Sequence, residues 1–358
     1  MSSSIAREPK IAAVDLFCGA GGLTKGLEKA GIESRLGIDV DPHCEYPYTA
    51  NNRSKFLLKS VSELSAAEIT CEFQNADYSL LAGCAPCQPF STYSQRYDRD
   101  KRWGLLNHFK RLIIELKPDL VTMENVPGLI RQSVFARFVK TLESEGYFTS
   151  YQVVNCADYG VPQHRKRLVL LASLLGPIEL SKPTRTQRIC KTVIHAIGEL
   201  EPLAAGEASE EDPLHQAASL SPLNLKRIRA SKQGGTWRDW NKRLVAECHK
   251  KGSGKTYPGV YGRMSWDEPS PAITTQYFGF GNGRFGHPEQ DRAISLREGA
   301  ILQSFPKGYK FVPPGEEIHY KRIGRLIGNA VPVKLGEVIG RSIMRHVKAY
   351  QRNSERAA

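Results

Sequence analysis

An α/β fold, with a mostly parallel sheet, helices on both faces and a smaller irregular region, is what this chain predicts. Two observations carry the expectation. Through about residue 175, short apolar runs that read as strands alternate with amphipathic stretches that read as helices, the rhythm of a sheet built by crossover connections. Residues 186–290 then lose that rhythm: they are polar and loop-rich, and they hold Trp237, Trp240 and Trp266. Regularity returns from Ser295 and ends in a predicted helix over 333–346.

The first strand is read at 11–17, followed by the turn Cys18-Gly-Ala-Gly-Gly22 and a helix over 23–30 that Gly31 stops. Strand, glycine turn and helix make a nucleotide-type site, because glycine lets the backbone approach a ligand closely. The spacing is not G-x-G-x-x-G and no phosphate-binding Lys-Ser/Thr follows, so an adenosyl ligand without a pyrophosphate fits better. A second strand, 34–38, delivers Asp39 roughly 20 residues past the turn, where a ribose-binding acid is expected. The competing role, capping a helix that begins near Pro42, suits Asp41 better. Residues 54–60 read as a third strand and 61–69 as a short helix.

Ser79-Leu-Leu-Ala82 reads as a short buried strand ending at Gly83, and Cys84-Ala-Pro-Cys-Gln-Pro-Phe-Ser91 follows. Pro86 and Pro89 fix φ on either side of Cys87 and remove two backbone donors. The result is a stiff loop that presents one thiol at the end of a strand, where open α/β sheets bind ligands. The next stretch, 95–104, is basic with Tyr97 and Trp103 interleaved, a loop suited to closing over a nucleic-acid backbone. A helix over 105–116 and a strand over 119–123 lead to Glu124, a carboxylate placed to donate a proton. A helix at 134–145 and strands at 147–155 and 168–173 complete the pattern. Between the last two, Gln163, Arg165 and Arg167 alternate, so in extended chain they project from one face as a donor array.

Composition narrows the partners. A net charge of +13 and a pI near 9.3 favour a polyanion, most simply nucleic acid. The eight cysteines are dispersed, which argues for reduced thiols. No run of about 18 apolar residues exists and the first residues carry no signal-peptide core, so no membrane role and a cytoplasmic location are expected. Cys84 and Cys87 have no second pair with which to hold zinc, and no metal is expected. Gly252-Ser-Gly-Lys-Thr256 imitates a phosphate-binding loop, but no strand precedes it and Tyr257-Pro-Gly259 follows; a flexible basic loop is expected.

Taken together, these residues resemble the cytosine-5 DNA methyltransferase family, in its prokaryotic form from restriction–modification systems or standing alone. The resemblance rests on Asp15-Leu-Phe-Cys-Gly-Ala-Gly-Gly22, Pro86-Cys-Gln-Pro-Phe-Ser91, Glu124-Asn-Val126, Gln163-His-Arg-Lys-Arg167, Arg297-Glu298 with Gln303-Ser-Phe-Pro306, and Gly328-Asn-Ala-Val331, in the family's order. It implies a Rossmann-like fold that uses S-adenosylmethionine. Residues 1–185 would form the first part of the catalytic and cofactor-binding domain, and 186–290 a small target-recognition domain. Residues 291–350 would return to complete the catalytic domain, and 351–358 would be a disordered tail.

The resemblance also assigns roles. Cys87 would be the nucleophile and Glu124 the acid at N3 of the target cytosine. Arg167 would contact the base, with Arg165 and Gln163 ordering the site. Asp15, Phe17, Cys18, Gly19, Ala20, Gly21, Gly22 and Leu23, with Val40 and Pro86, would line S-adenosylmethionine. Asp39 would hold its ribose, and Asn329, with Ala330 and Val331, would lie near its methionine end. The family's acid for the adenine amino group is replaced here by Ser60-Val61, and Ala330 stands where Ser is common. Double-stranded DNA would be the partner of a monomer with no obligate protein partner. Gln88, Ser91, Arg96, Arg99 and Arg102 from the loop, and Arg263 and Arg284 from the second domain, are its candidate contacts. A cytosine cannot be reached inside the stacked duplex, so base flipping is implied. Two other readings stay open: a tRNA cytosine-5 methyltransferase, and a catalytically silent DNA-binding regulator.

Overall fold

The computed structural model describes residues 7–86, 99–183, 191–257 and 259–357. The chain divides into two compact units, one of 1–155, 166–183 and 333–358, the other of 156–165 and 184–332.

A seven-stranded sheet forms the first unit: β1 (Ile11–Leu16), β2 (Glu33–Asp39), β3 (Lys55–Leu58), β4 (Tyr78–Gly83), β5 (Leu120–Asn125), β6 (Phe148–Asn155) and β7 (Lys166–Ser173). Their order is β3-β2-β1-β4-β5-β7-β6, parallel throughout except for β7, which runs against both neighbours. β1 and β5 are buried along their whole length, which is why β1 is apolar on both faces up to Asp15 and β5 opens on apolar residues before it delivers Glu124 and Asn125. Every predicted strand is present, with ends displaced by two residues at most.

Helices α1 (Gly22–Lys29), α2 (Glu45–Thr49), α3 (Ala66–Thr70), α4 (Arg99–Leu116) and α5 (Ser133–Ser144) belong to the same unit. α3 is shorter than expected: a capping box at Ser65, whose amide donates to Glu68 Oε2 at 2.9 Å, starts it late. Asp41 does cap the turn at Pro42–Cys44, accepting from the His43 amide. The second unit holds α6 (Val193–Ile197), α7 (Pro222–Arg229), α8 (Glu247–Lys250), α9 (Leu296–Leu302) and α10 (Tyr320–Asn329), and in it Ile228 of α7 packs into a cluster with Trp237, Trp240, Phe280 and Ala293. α11 (Val333–Ala357) returns to the first unit.

Alternation along β1 sorts the two faces of the sheet. Val14 and Leu16 join a core with Phe109, Leu112 and Ile113 of α4 and Phe135, Phe138 and Leu142 of α5. Asp15, between them, bonds to Thr24 of α1 on the other face. There α1 meets α11 at van der Waals distance: a Cβ on Gly26 would lie 2.5 Å from the Val333 carbonyl and the Glu337 amide. Gly336 lies opposite, its own Cβ position 3.2 Å from the Gly26 Cα.

Several expectations change, and the first is that residues 99–104, expected as part of a loop before a helix over 105–116, already belong to α4. Residues 351–357, expected as a disordered tail, continue α11 to Ala357. The return begins at Val333 rather than at 291, and 156–165 joins the second unit, because Gln163 and Arg165 are bonded to 273, 302, 303 and 328. Gly252–Thr256, expected as a flexible loop, is a 3-10 turn whose Gly254 carbonyl bonds His249 Nδ1 at 3.1 Å.

The glycine contact makes a paired prediction. Gly26→Ala forces α1 and α11 apart and should cost about 1–3 kcal/mol of stability. Gly104→Ala, inside α4 with nothing within 4 Å of its Cβ position, should raise stability by up to about 1 kcal/mol. Denaturant melts of both variants check the sign; equal effects would refute the close-packing argument.

Candidate active site

The order of the sheet reverses between β1 and β4, and in open α/β sheets ligands bind at the carboxyl ends of the strands on either side of such a reversal. Four strands end there with chemically useful residues. Past β1 the chain turns through Phe17 (φ 59°), Gly19 (φ 53°) and Gly21 (φ 83°) into α1. A phenylalanine at positive φ is strained, and such strain collects at ligand sites. The Gly19 amide donates to Asp39 Oδ2 at 2.9 Å and the Asp41 amide to Oδ1 at 3.0 Å, which fixes the acid at the end of β2. Burial pushes the Asp39 pKa up, against the pull of those amides. Val40, beside it, is 69% exposed, an apolar surface next to a carboxylate.

Beneath the turn, Asp15 is buried and receives the Thr24 hydroxyl at 2.7 Å. Thr24 contacts the Tyr48 hydroxyl at 3.1 Å, and Tyr48 contacts Ser54 at 2.8 Å, so a chain of hydroxyls leads away from the carboxyl group. Asp15 Oδ1 is buried without a hydrogen-bond partner among the described residues. Burial is the main cause of a pKa raised to about 7.

β4 and β5 deliver the reactive groups. Past Gly83, the Cys84 amide donates to the Leu16 carbonyl at 3.2 Å and the Ala85 carbonyl accepts from Asn125 Nδ2 at 2.9 Å, so neighbours on both sides anchor the loop. Glu124 is 3% exposed. Its Oε2 receives the Cys84 thiol at 2.9 Å. Its Oε1 is ion-paired with Arg167 Nε at 2.8 Å and has no hydrogen-bond partner among the described residues. Because β7 runs antiparallel, its first residues fall at the edge where β5 ends, and this brings Arg167 to Glu124. Part of Cys84 remains exposed, but burial and the Glu124 carboxylate together push its thiol pKa well above the ordinary range.

The remaining candidates distribute unevenly. Cys87, Gln88, Ser91 and Arg96 lie outside the described residues, as do the side chains of Arg99 and Arg102. Gln163 and Arg165 do not share a donor array with Arg167. They are buried in the second unit, where Gln163 bonds the Leu302 carbonyl, Gln303 and the Ile273 amide, and Arg165 bonds the Ile273 and Gly328 carbonyls. Arg263 is not a surface contact: it is 5% exposed and spends its guanidinium on the carbonyls of Ile228, Ser231, His287 and Gln290 and on Asp291. Arg284 is partly buried, with Nε enclosed and unbonded. Asn329 is exposed at the end of α10, followed by the half-buried Ala330 and buried Val331. Ser60 bonds Ser62 at 2.6 Å and Val61 is buried.

A family model for the C-5 cytosine-specific DNA methylase matches residues 11–345. The chain belongs to that family. The Type II methylase M.HgiDII of Herpetosiphon aurantiacus is 51% identical to this methylase over 340 residues, 94% of this chain and 96% of that protein. The Type II methyltransferase M.PspPI of Psychrobacter sp. (strain TA137) is 34% identical, over 94% and 79% of the two chains. Among solved structures, the S. pombe Dnmt2 methyltransferase superposes with a TM-score of 0.61 at 17% identity over 95% of this chain and 99% of its own, a likeness of fold.

Sequence reading of the methylase missed Cys84, Asn125 and the Thr24–Tyr48 pair. For Cys84 and Asn125 the signal available was a polar residue at the end of, or just beyond, an apolar strand, and what it lacked was the neighbouring strand; Thr24 and Tyr48, inside α1 and α2, carried no such signal.

The buried acid gives a pH prediction. The folded chain holds the Asp15 proton up to a pKa of about 7, whereas the unfolded chain releases it near 3.8. Stability from this group therefore falls as pH rises from about 4 to about 7 and is level above. Asp15→Asn removes that slope, and the variant should gain roughly 2–4 kcal/mol over wild type between pH 4 and pH 8. Melting curves that run parallel across this range would refute the assignment.

Proposed function

We propose that this methylase transfers a methyl group from S-adenosylmethionine to C5 of cytosine within a specific double-stranded DNA sequence, acting on a base turned out of the helix. The observation that carries the reading is Glu124: a buried carboxyl group at the carboxyl end of β5, with one oxygen bonded by the Cys84 thiol and the other beside Arg167 without a hydrogen-bond partner among the described residues. A cytosine ring offers N3 to just such a group.

The first loop fits the cofactor. The amides that open α1 have no side-chain cap, Asp39 is fixed where a ribose diol is expected, and Val40 offers an apolar face beside it. Phe17, Cys18, Gly19 to Gly22, Leu23 and Pro86 complete the lining, and Asp15 supports the turn from below. The cofactor supplies an electrophilic methyl group.

C5 of cytosine is a poor nucleophile, and the chain's own residues would correct that. The Cys87 thiolate adds to C6 while Glu124, once it has taken up a proton, donates that proton to N3, so that the ring becomes enamine-like and C5 takes the methyl group. Removal of the C5 proton by a base then allows the Cys87–C6 bond to break. Arg167, now beside Glu124, would hold the base on its O2 side. Gln163 and Arg165 act at a distance, by holding the second unit together. The net charge of +13 favours the DNA backbone, and Arg284 with the basic 95–104 stretch supplies candidate contacts. As an enzyme of this kind it works as a monomer on nucleoid DNA in the cytoplasm. The Type II names of its relatives associate it with restriction–modification systems.

Incubation with unmethylated genomic DNA and S-adenosylmethionine, followed by bisulfite mapping, should show 5-methylcytosine confined to one short motif. Cys87→Ala should abolish transfer, and Glu124→Gln should lower it by about 10²–10⁴-fold. Full activity of Cys87→Ala, or transfer to tRNA in preference to duplex DNA, would overturn the proposal.

A further inference from the structure

Two neighbours meet at the Glu124 carboxyl group, and one of them, Cys84, has no part in the chemistry just described. Cys84 lies past the end of β4 with its thiol 2.9 Å from Glu124 Oε2, on an amide bonded to β1 and beside a carbonyl clamped by Asn125. Arg167 balances the charge of Oε1, which is buried and has no hydrogen-bond partner among the described residues. The two carboxylate oxygens are therefore not equivalent: one accepts a hydrogen bond from the thiol, and the other keeps its hydrogen-bonding capacity beside the guanidinium.

We infer that Cys84 is a positioning residue, whose S–H fixes the rotation of the Glu124 carboxyl group and so keeps Oε1 aimed at the ring nitrogen of the incoming cytosine. The inference rests on the proposed role of Glu124. It differs from a thiol that merely fills space in the core, because a space-filling thiol has no reason to point at a carboxylate. A thiolate would repel Glu124, and the burial that holds this thiol in its protonated form keeps it a donor. A free carboxyl group turns about its terminal torsion over a broad well, so without a second anchor the acid would spend part of its time with neither oxygen at N3. The anchor is cheap for the fold to supply, since the backbone of Cys84 is already pinned from both sides.

The test compares Cys84→Ala and Cys84→Ser with wild type in single-turnover methyl transfer to duplex DNA. The expected result for Cys84→Ala is a rate about 10-fold lower, or about 1.4 kcal/mol, with KM for DNA and for S-adenosylmethionine changed less than twofold. Cys84→Ser, which restores a donor at the same place, should recover to within about threefold of wild type. The same pair is then measured in a Glu124→Gln background, where the loss from Cys84→Ala should disappear, because the residue acts only through that carboxyl group. Thermal melts identify any variant that fails to fold, and in that case the comparison of Cys84→Ser with wild type in the two backgrounds stands alone. A wild-type rate for Cys84→Ala, a Cys84→Ser rate as slow as Cys84→Ala, or losses that add in the Glu124→Gln background would each overturn the inference. Wild-type protein inactive on every DNA would instead refute the proposed function, so the two failures are distinct.

Discussion

Burial of the Glu124 carboxyl group is the constraint around which the first unit is arranged. A charge withdrawn from water costs several kcal/mol unless partners replace the solvent. Here the partners come from strands on either side of β5: a thiol from the end of β4 and a guanidinium from the start of β7. The second is available only because β7 is reversed. Had β7 run parallel to β5, its first residues would lie at the opposite edge of the sheet, and Glu124 would face that cost with the thiol alone.

The other ligand-facing loop depends on the same economy of space. Asp39 receives the amides of Gly19 and Asp41, and the turn that presents Gly19 is carried by a helix lying close to α11. That approach needs two glycines, Gly26 and Gly336, one on each helix. The C-terminal helix, far from the first loop in sequence, is thereby part of what holds the loop's helix in place.

Within the second unit, several arginines are buried and structural. Arg292 is fully buried and makes two bonds to Glu298, at 2.7 and 2.8 Å. Burial would raise the pKa of that carboxyl group, but Arg292 more than reverses the effect and holds it at about 2. Arg297 pairs with Asp212 and donates to the Tyr309 carbonyl, and Arg263 is enclosed by carbonyls. The net charge read from composition therefore overstates what this unit offers to a polyanion. Arg263 shows why: a guanidinium with five donors suits a ring of backbone carbonyls as well as it suits phosphates.

The sequence by itself determined the strands, the glycine turn, the acid at the end of β2 and the position of Glu124 at the end of β5. Each is a local signal: an apolar run, a backbone that needs positive φ, a polar residue where an apolar run stops. It also determined the family, through motifs whose order survives a long irregular insertion. Tertiary structure alone decided that β7 is reversed, that Gln163 and Arg165 clasp the second unit while Arg167 turns to Glu124, and that Cys84 bonds the acid. Those outcomes follow from which strands become neighbours, and a strand's neighbour is fixed by the burial of the whole sheet rather than by any stretch of chain.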